Sequence, residues 1–272
     1  MVVGGGELPQ LVSLVNLYLS DPLHHPYLLY DLTYDLSVSR VHALINEYGR
    51  VVGYALIWGV GRPFKCVILW GRCSQLVRRV PKSPKLIVQA PDAGIAEDVL
   101  NHLKALGAPK ESLRIAPYLD MAVGEEGFTP YETFPKPVML DPRNDEHVRE
   151  FASIRVESVG REEEAMMAPE LIRRYRPYAI FVGRRIASVA MTYVRMPEVW
   201  VVGGVYTKPQ YRGRGYAKAV TSAVTRDALR AGAKALLQVR EDNEPAVRVY
   251  RRLGYEPIGR RYWVLLNIKP AA

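Results

Sequence analysis

The spacing of apolar residues divides the first half of the chain into helical and extended segments. Apolar residues recur at helical spacing in three stretches, whereas β-branched apolar runs with turn residues between them indicate strands. The predicted helices cover residues 8–19, 21–34 and 93–106, and the predicted strands cover 42–48, 51–58, 65–70 and 85–88. A tight turn at Gly49 joins the first two strands into a hairpin. The first half is therefore predicted to be a sheet covered by helices.

The second half repeats this order. Predicted strands cover 138–140, 178–182, 186–194, 199–206, 235–239 and 261–266, and predicted helices cover 145–157, 169–176, 217–231 and 244–253. Residues 124–137 show neither period and contain Gly, Pro and Thr, so we place a boundary near Pro135. The expected fold class is α+β, with two tandem domains at 1–135 and 136–272, each a mostly antiparallel twisted sheet flanked by helices.

The length and the charge distribution support two domains with different partners. With 272 residues, 49% of them hydrophobic, the chain exceeds the common domain size of about 150 residues. Residues 1–139 carry 13 basic and 13 acidic side chains, whereas residues 140–272 carry 24 and 15. All of the excess positive charge thus lies in the second half, which we expect to bind an anion.

Several classes of protein are disfavoured by composition. Cys66 and Cys73 are the only cysteines, and their odd separation would place them on opposite faces of a strand, so neither a disulfide framework nor a cysteine metal site is expected. The adjacent His24 and His25 are interpreted as flanking a helix, and we expect no metal. Apolar runs are shorter than the roughly 18 residues of a membrane span, and residues 1–6 lack a basic signal-peptide start. We expect a soluble, cytoplasmic protein with no membrane partner.

The segment 210–217, Gln-Tyr-Arg-Gly-Arg-Gly-Tyr-Ala, lies between a predicted strand and a long predicted helix. Gly213 and Gly215 permit backbone conformations in which successive N–H groups converge on one anion, and the helix start adds its positive dipole end. A dinucleotide fingerprint would need Gly or Ala where Lys218 stands, and a Walker lysine is absent. A pyrophosphate fits this pattern, although a glycine pair before a helix can also be only a tight turn.

A second segment makes a family resemblance specific. Gln210-x-x-Gly213-x-Gly215 is similar to the coenzyme A motif of the GCN5-related N-acetyltransferases, and Asn243-x-x-Ala246-x-x-x-Tyr250-x-x-x-Gly254-Tyr255 resembles the second signature of that family. The resemblance covers residues 138–268. It implies that the strand 199–207 runs beside the pantetheine arm. The residues it assigns to coenzyme A are Val205, Tyr206, Thr207, Gln210, Arg212, Gly213, Arg214, Gly215, Tyr216, Ala217, Asn243, Ala246 and Tyr250.

The resemblance implies acetyl transfer from acetyl-CoA to a primary amine. Tyr250 stands at the position that protonates the departing thiolate, although its helical spacing would also suit a packing role. Asn243 would contact the pantetheine, cap its helix, or do both.

The base is less well defined. Glu198 is the nearest carboxylate before the loop, and a bulge would bring it into phase with the site. Some relatives carry a Glu on the next strand, where this chain has Gln238. Glu241 and the run 162–164 are further candidates, although three consecutive glutamates are also typical of a solvated helix start.

The first half follows the same element order but has only Gly71 in the corresponding loop. A degenerate first half on an active second half resembles tandem acetyltransferases such as mycothiol synthases and the glycine N-acyltransferase group, the latter through an FR47-like segment at 204–255.

The expected function is N-acetyl transfer to a small molecule or peptide, with acetyl-CoA and an amine as partners. The alternatives are an acetyl-CoA-binding sensor without turnover and, less favoured, a nucleic-acid-binding protein, which the 20 Arg of the second half suggest. The sequence leaves the acceptor, acyl length and oligomeric state open.

Overall fold

The structure is a computed structural model that describes residues 2–3, 8–160 and 163–268. The chain forms two compact units, and each is built from separated segments. The first unit contains Met1–Asp120, Val239–Asp242 and Pro257–Ala272, and the second contains Met121–Gln238 and Asn243–Glu256. These bounds differ from the predicted division at residue 135, because the last strand of the chain returns to the first unit. The assignment of a degenerate and a catalytic domain stays a prediction.

The first unit is a mixed sheet with helices on both faces. Numbered along the chain, its helices are α1 (Leu8–Ser20), α2 (Pro26–Tyr34) and α3 (Ala93–Ala105). Its strands are β1 (Val2–Val3), β2 (Ser39–Ile45), β3 (Val51–Trp58), β4 (Phe64–Gly71), β5 (Lys85–Ala90), β6 (Leu113–Val123) and β12 (Glu256–Asn267). Their order is β1-β2-β3-β4-β5-β12-β6. β4 and β5 run parallel, whereas β5 and β12 run antiparallel.

Alternation along these strands supplies two cores. Val67, Val88 and Val264 face α3, while Tyr54 and Leu56 face α1 and α2. The strand β12 also makes a polar contact with its two neighbouring strands, β6 and β5. The Arg261 guanidinium donates to Asp120 Oδ2 at 2.7 Å and to Gln89 Oε1 at 2.9 Å. The last strand of the chain is therefore an interior strand of the first unit.

The second unit is a smaller mixed sheet. Its strands are β7 (Val138–Met139), β8 (Tyr178–Val182), β9 (Arg185–Arg195), β10 (Val199–Thr207) and β11 (Lys234–Arg240), in the order β11-β10-β9-β8-β7. Its helices are α4 (Asp145–Val159), α5 (Glu163–Met166), α6 (Ala168–Tyr175), α7 (Tyr216–Arg230) and α8 (Glu244–Arg251). Residues of α4 and α6 form a core with β8 and β9. The expected fold class is confirmed.

Most predicted elements are confirmed, and the exceptions have physical reasons. The second helix begins at Pro26 rather than at residue 21, because proline is favoured in the first turn of a helix. The first long strand starts three residues early, at Ser39. The strand β6 was not predicted, since Pro117 interrupts its pattern. Cys73 precedes a 3₁₀ helix, so the two cysteines do not share a strand.

Membrane-spanning helices and metal-binding clusters are both absent from the described residues. Among the helices of the described residues, none has both the length and the apolar character of a membrane span. Within residues 2–3, 8–160 and 163–268, no group of three or more His, Cys, Asp or Glu side chains is arranged to hold a metal ion.

Candidate acyl-CoA site

In the second unit, the strand β10 pairs with its neighbour β11 along only part of its length. β10 pairs in parallel with β11 only from Val199 to Val202, opposite Lys234–Leu237. On its other side, β10 stays paired with β9 as far as Thr207, with irregularities after Val201 and after Gly203. From Gly203 onward, one edge of β10 therefore presents backbone N–H and C=O groups outside the β10–β11 ladder.

Gly203 and Gly204 make this irregular path possible. A Cβ at Gly203 would overlap the ring of Tyr193, which lies across the strand from β9. Gly204 has φ 58°, and a Cβ there would lie 2.8 Å from the Met191 side chain. Both positions therefore require glycine, one for close approach and the other also for its left-handed conformation. No local motif in the sequence indicates this role of Gly203 and Gly204.

The predicted glycine loop lies directly after the open strand. A 3₁₀ helix over Pro209–Tyr211 turns the chain, and Gly213 and Gly215 follow with φ values of 78° and 77°. The helix α7 then starts at Tyr216, and no side chain caps its first turn. Its first N–H groups and its positive dipole end therefore remain directed at the loop, an arrangement that favours a phosphate.

The two arginines of the loop have different surroundings. Arg212 Nε donates to the Thr207 carbonyl at 3.2 Å, which fastens the loop to the end of β10. The Arg214 guanidinium lies over the Tyr211 ring, 5.7 Å from its centroid. Both side chains are exposed, as is Gln210. The loop thus carries two positive charges at the surface where the backbone amides face outward.

Tyr250 is a buried residue of α8 with an unusual hydroxyl. The residue is 7% exposed, and its hydroxyl has no hydrogen-bond partner among the residues that the structure describes. Burial raises the pKa of Tyr250 to about 12. By contrast, the neighbouring Tyr255 hydroxyl shares a 2.7 Å hydrogen bond with Thr225 Oγ1 on α7. Tyr250 is therefore the tyrosine of this pair with a proton available for another group.

Asn243 is placed as a helix cap. Its side-chain oxygen accepts a hydrogen bond from the Ala246 N–H at 3.4 Å, at the start of α8. Asn243 is exposed and Ala246 is half-buried. The capping interpretation of Asn243 agrees with this contact, and a contact with pantetheine stays a prediction.

The structure does not bring Glu198 to the loop. Glu198 is exposed in the turn before β10, whereas the loop follows the other end of that strand. At roughly 3.3 Å per residue, a strand of nine residues separates its two ends by about 30 Å. A register irregularity shifts a side chain by one position and does not remove this distance. The geometry therefore gives no support to Glu198 as the base.

The other predicted carboxylates are also accounted for. Glu241 Oε2 accepts a 2.6 Å hydrogen bond from Arg260, and both residues belong to the first unit. Glu162 lies outside the described residues, and the side chains of residues 163 and 164 are likewise not described. Gln238 lies on β11, as expected from the sequence.

A carboxylate that the sequence analysis missed lies beside the open part of β10. Glu157, on α4, accepts a hydrogen bond from the Tyr206 hydroxyl at 2.9 Å, and Lys208 Nζ lies 3.4 Å from its other oxygen. Burial and the hydrogen bond to Glu157 raise the pKa of Tyr206. Because 49 residues separate Glu157 from Tyr206, no local motif indicates this contact.

The first unit differs at the equivalent place in its element order. After β4, the chain forms a 3₁₀ helix over Ser74–Arg79 before β5. The second unit has the glycine loop and the 15-residue helix α7 between β10 and β11. The 3₁₀ segment has neither the two glycines nor a long helix whose N–H groups converge. That the first half lacks a pyrophosphate site stays a prediction.

Comparison with solved structures defines the class of fold. A GCN5-related N-acetyltransferase from Sphaerobacter thermophilus aligns with TM-score 0.60 and 18% identity, over 91% of this chain and 86% of its own. A GNAT-family acetyltransferase from Colwellia psychrerythraea gives 0.58 and 12%, over 98% and 99%. A tandem GNAT protein from the clavulanic acid biosynthesis pathway gives 0.51 and 17%, over 86% and 84%. The chain has the fold of the GCN5-related N-acetyltransferases.

A part of the sequence also matches a family model. Residues 181–264 match the family model described as FR47-like protein, a range that includes both signature segments. The resemblance inferred from the motifs is thereby confirmed. No curated protein matches the sequence.

Proposed function

We propose that the protein is an N-acetyltransferase that transfers the acetyl group of acetyl-CoA to a primary amine of a small molecule or peptide. The observation that carries this proposal is the continuity between the open edge of β10 and the glycine loop at the start of α7. An extended amide-containing chain can pair with such an edge, and a pyrophosphate suits such a loop. Coenzyme A contains both parts in this order.

Different residues of the second unit would bind different parts of coenzyme A. Backbone N–H groups from Arg212 to Ala217 would hold the pyrophosphate, with Arg214 adding positive charge. Residues 205–207 of β10 would pair with the amides of the pantetheine arm. The thioester would then lie near Gly203 and Gly204, where the strand has separated from β11.

The chemistry requires one bond to form and one to break. The nitrogen of a neutral amine attacks the thioester carbonyl, the carbon–sulfur bond breaks, and the acetyl group stays on nitrogen. The nitrogen loses one proton, and the thiolate finally gains one. The hydroxyl of Tyr250 would donate a hydrogen bond to the sulfur as negative charge develops there. With a pKa of about 12 against about 8.5 for a thiol, its main contribution is a hydrogen bond rather than complete proton transfer.

The amine requires an anionic partner rather than a strong base. An α-amine with a pKa near 8 is neutral in roughly one molecule in ten at pH 7, so such an acceptor needs little help to lose its proton. Glu157, hydrogen-bonded to Tyr206 on the open strand, would attract the ammonium form and then accept the proton that the nitrogen loses. This assignment replaces Glu198, which lies at the far end of β10.

The ion pairs of the arginine side chains favour acetyl transfer over nucleic-acid binding. Many arginines of the second unit pair with carboxylates rather than forming an unpaired stripe: Arg173 with Glu170, Arg176 with Asp227, Arg184 with Glu146, Arg185 with Glu150, Arg226 with Glu132 and Arg248 with Glu244. These pairs reduce the positive field that a phosphate backbone would meet.

Two measurements test the proposal. Isothermal titration should show that acetyl-CoA binds the full chain, and a thiol-release screen against amino acids, polyamines, aminoglycosides and peptides should identify an amine that is acetylated. Binding without release for any amine would instead support an acetyl-CoA sensor. A full chain that does not bind acetyl-CoA would refute both functions.

A further inference from the structure

The segment 127–132, which we call the strap, was predicted to lie in a loop between domains. In the second unit it is fastened to α7 and to the end of α8. The Thr129 N–H donates to the Leu253 carbonyl at 3.1 Å, and the Tyr131 N–H donates to Ser222 Oγ at 2.9 Å. A Cβ at Gly254 would collide with the Gly127 carbonyl oxygen. The strap is therefore a fixed part of the surface formed by the two signature segments.

The strap places the side chain of Tyr131 at the glycine loop. A Cβ at Gly215 would lie only 2.6 Å from the Tyr131 hydroxyl oxygen. The ammonium of Lys218, in the first turn of α7, lies 3.4 Å from the centroid of the Tyr131 ring. The hydroxyl thus lies against the residue that precedes α7, and the ring supports a positive charge beside it.

Both polar groups lack a partner within the described part of the chain. The Tyr131 hydroxyl makes no hydrogen bond there, and Lys218 has no carboxylate within ion-pair distance. Together with the uncapped N–H groups of α7, they form a set of donors close to Gly215 and the first turn of α7. A set of donors without an acceptor is suited to an anion with several oxygens.

We infer that Tyr131 is a ligand-binding residue of the acyl-CoA site, whose hydroxyl donates a hydrogen bond to the pyrophosphate while its ring holds Lys218 in position to attract the same group. The inference rests on the proposed function, because it needs coenzyme A in the loop. It gives the strap a part in recognising the phosphates, although the strap lies outside both signature segments. Phe would keep the ring contact with Lys218 and remove only the donor.

The test compares the full chain with its Tyr131→Phe variant. The variant should bind acetyl-CoA about 10-fold more weakly in a titration, as expected for one lost hydrogen bond to a charged group. The kcat/KM for acetyl-pantetheine, which lacks the pyrophosphate, should stay within twofold of the wild-type value. The control Phe134→Leu changes an 89% exposed side chain near the strap, and its affinity should equal that of the wild type.

The possible outcomes separate the inference from the proposed function. Equal acetyl-CoA affinity of wild type and Tyr131→Phe would refute the inference and leave the proposed function intact. An equal loss for acetyl-CoA and acetyl-pantetheine would also refute it, since the hydroxyl would then be only structural. A wild-type chain that binds no acetyl-CoA would refute the proposed function itself. The melting temperature of Tyr131→Phe should match the wild type, because the backbone contact to Ser222 is unchanged.

Discussion

Tyr250 and Tyr255, two buried tyrosines of the second unit, allow an effect on activity to be distinguished from an effect on stability. Tyr250→Phe removes a hydroxyl that has no hydrogen-bond partner among the described residues, whereas Tyr255→Phe removes one bonded to Thr225. Phe keeps the ring volume in both cases, so neither change leaves a cavity. The variants are therefore matched in chemistry and burial and differ in what the hydroxyl contacts.

The expected magnitudes follow from these contacts. A hydrogen bond to a group that becomes charged is worth about 1.5–3 kcal/mol, so loss of the Tyr250 donor should lower kcat about 10- to 150-fold. The free energy of unfolding should not fall, because burying an unpaired hydroxyl is itself unfavourable. Tyr255→Phe should instead lower the free energy of unfolding by about 1 kcal/mol and leave kcat nearly unchanged.

The assay measures three quantities for each variant. Thiol release with the best amine gives kcat, titration gives the acetyl-CoA affinity, and chemical denaturation gives the free energy of unfolding. Acetyl-CoA affinity should change little in either variant. A kcat within twofold of wild type for Tyr250→Phe would remove Tyr250 from the mechanism. Equal losses of kcat in both variants would show that the tyrosines act only through packing.

Four further predictions concern the glycine loop, the titration of Tyr250, the burial of His25 and the strand β12. Gly215→Ala should weaken acetyl-CoA binding at least about 10-fold in a titration, because Cβ meets the strap at a positive φ of 77°, whereas Gly232→Ala, with φ 81° and open space, should cost only about 1–2 kcal/mol of stability. Since the pKa of Tyr250 is about 12, its hydroxyl stays protonated, and kcat should not decline with pH below about 11; a decline centred near 9 would contradict the assignment. Burial lowers the pKa of His25 from 6.5 to about 4, so the unfolded chain binds the proton first and the melting temperature should fall as pH drops from 6.5 towards 4, a slope that His25→Gln should lack. Deleting residues 257–272 should prevent the first unit from folding, which hydrogen exchange of β5 would reveal as lost protection.

Local patterns predicted most of the elements because each depends on residues that are close in sequence. The helical spacing of Val220, Val224 and Ala228 describes one face of one helix, and all three are buried in α7. The apolar run 186–194 predicted a strand, and β9 is buried on both faces. The glycine loop was found for the same reason, since backbone conformation and helix start are encoded within eight residues. β6 was missed because it contains Pro117, and proline is rare inside strands.

Contacts between segments that are distant in sequence could not be predicted from local patterns. The Tyr206 hydroxyl meets Glu157 across 49 residues, and the Tyr131 backbone meets Ser222 across 91. Such pairs depend on how helices and sheet pack, and no periodicity in either segment encodes the partner. Glu198 illustrates the same limit, because its number in the sequence does not show that β10 lies between it and the glycine loop.

The place of β12 in the first unit determines when that unit can form during synthesis. β12 lies between β5 and β6, yet it follows both of these strands in the chain and is synthesised after them. Until then, β5 has an unpaired edge, and Val88 lacks the apolar neighbours that Val264 and Leu266 provide. An exposed edge of this kind promotes pairing with other chains. The strands of the first unit that are made early therefore depend on β12, and a chain that stopped before residue 256 would leave this unit incomplete.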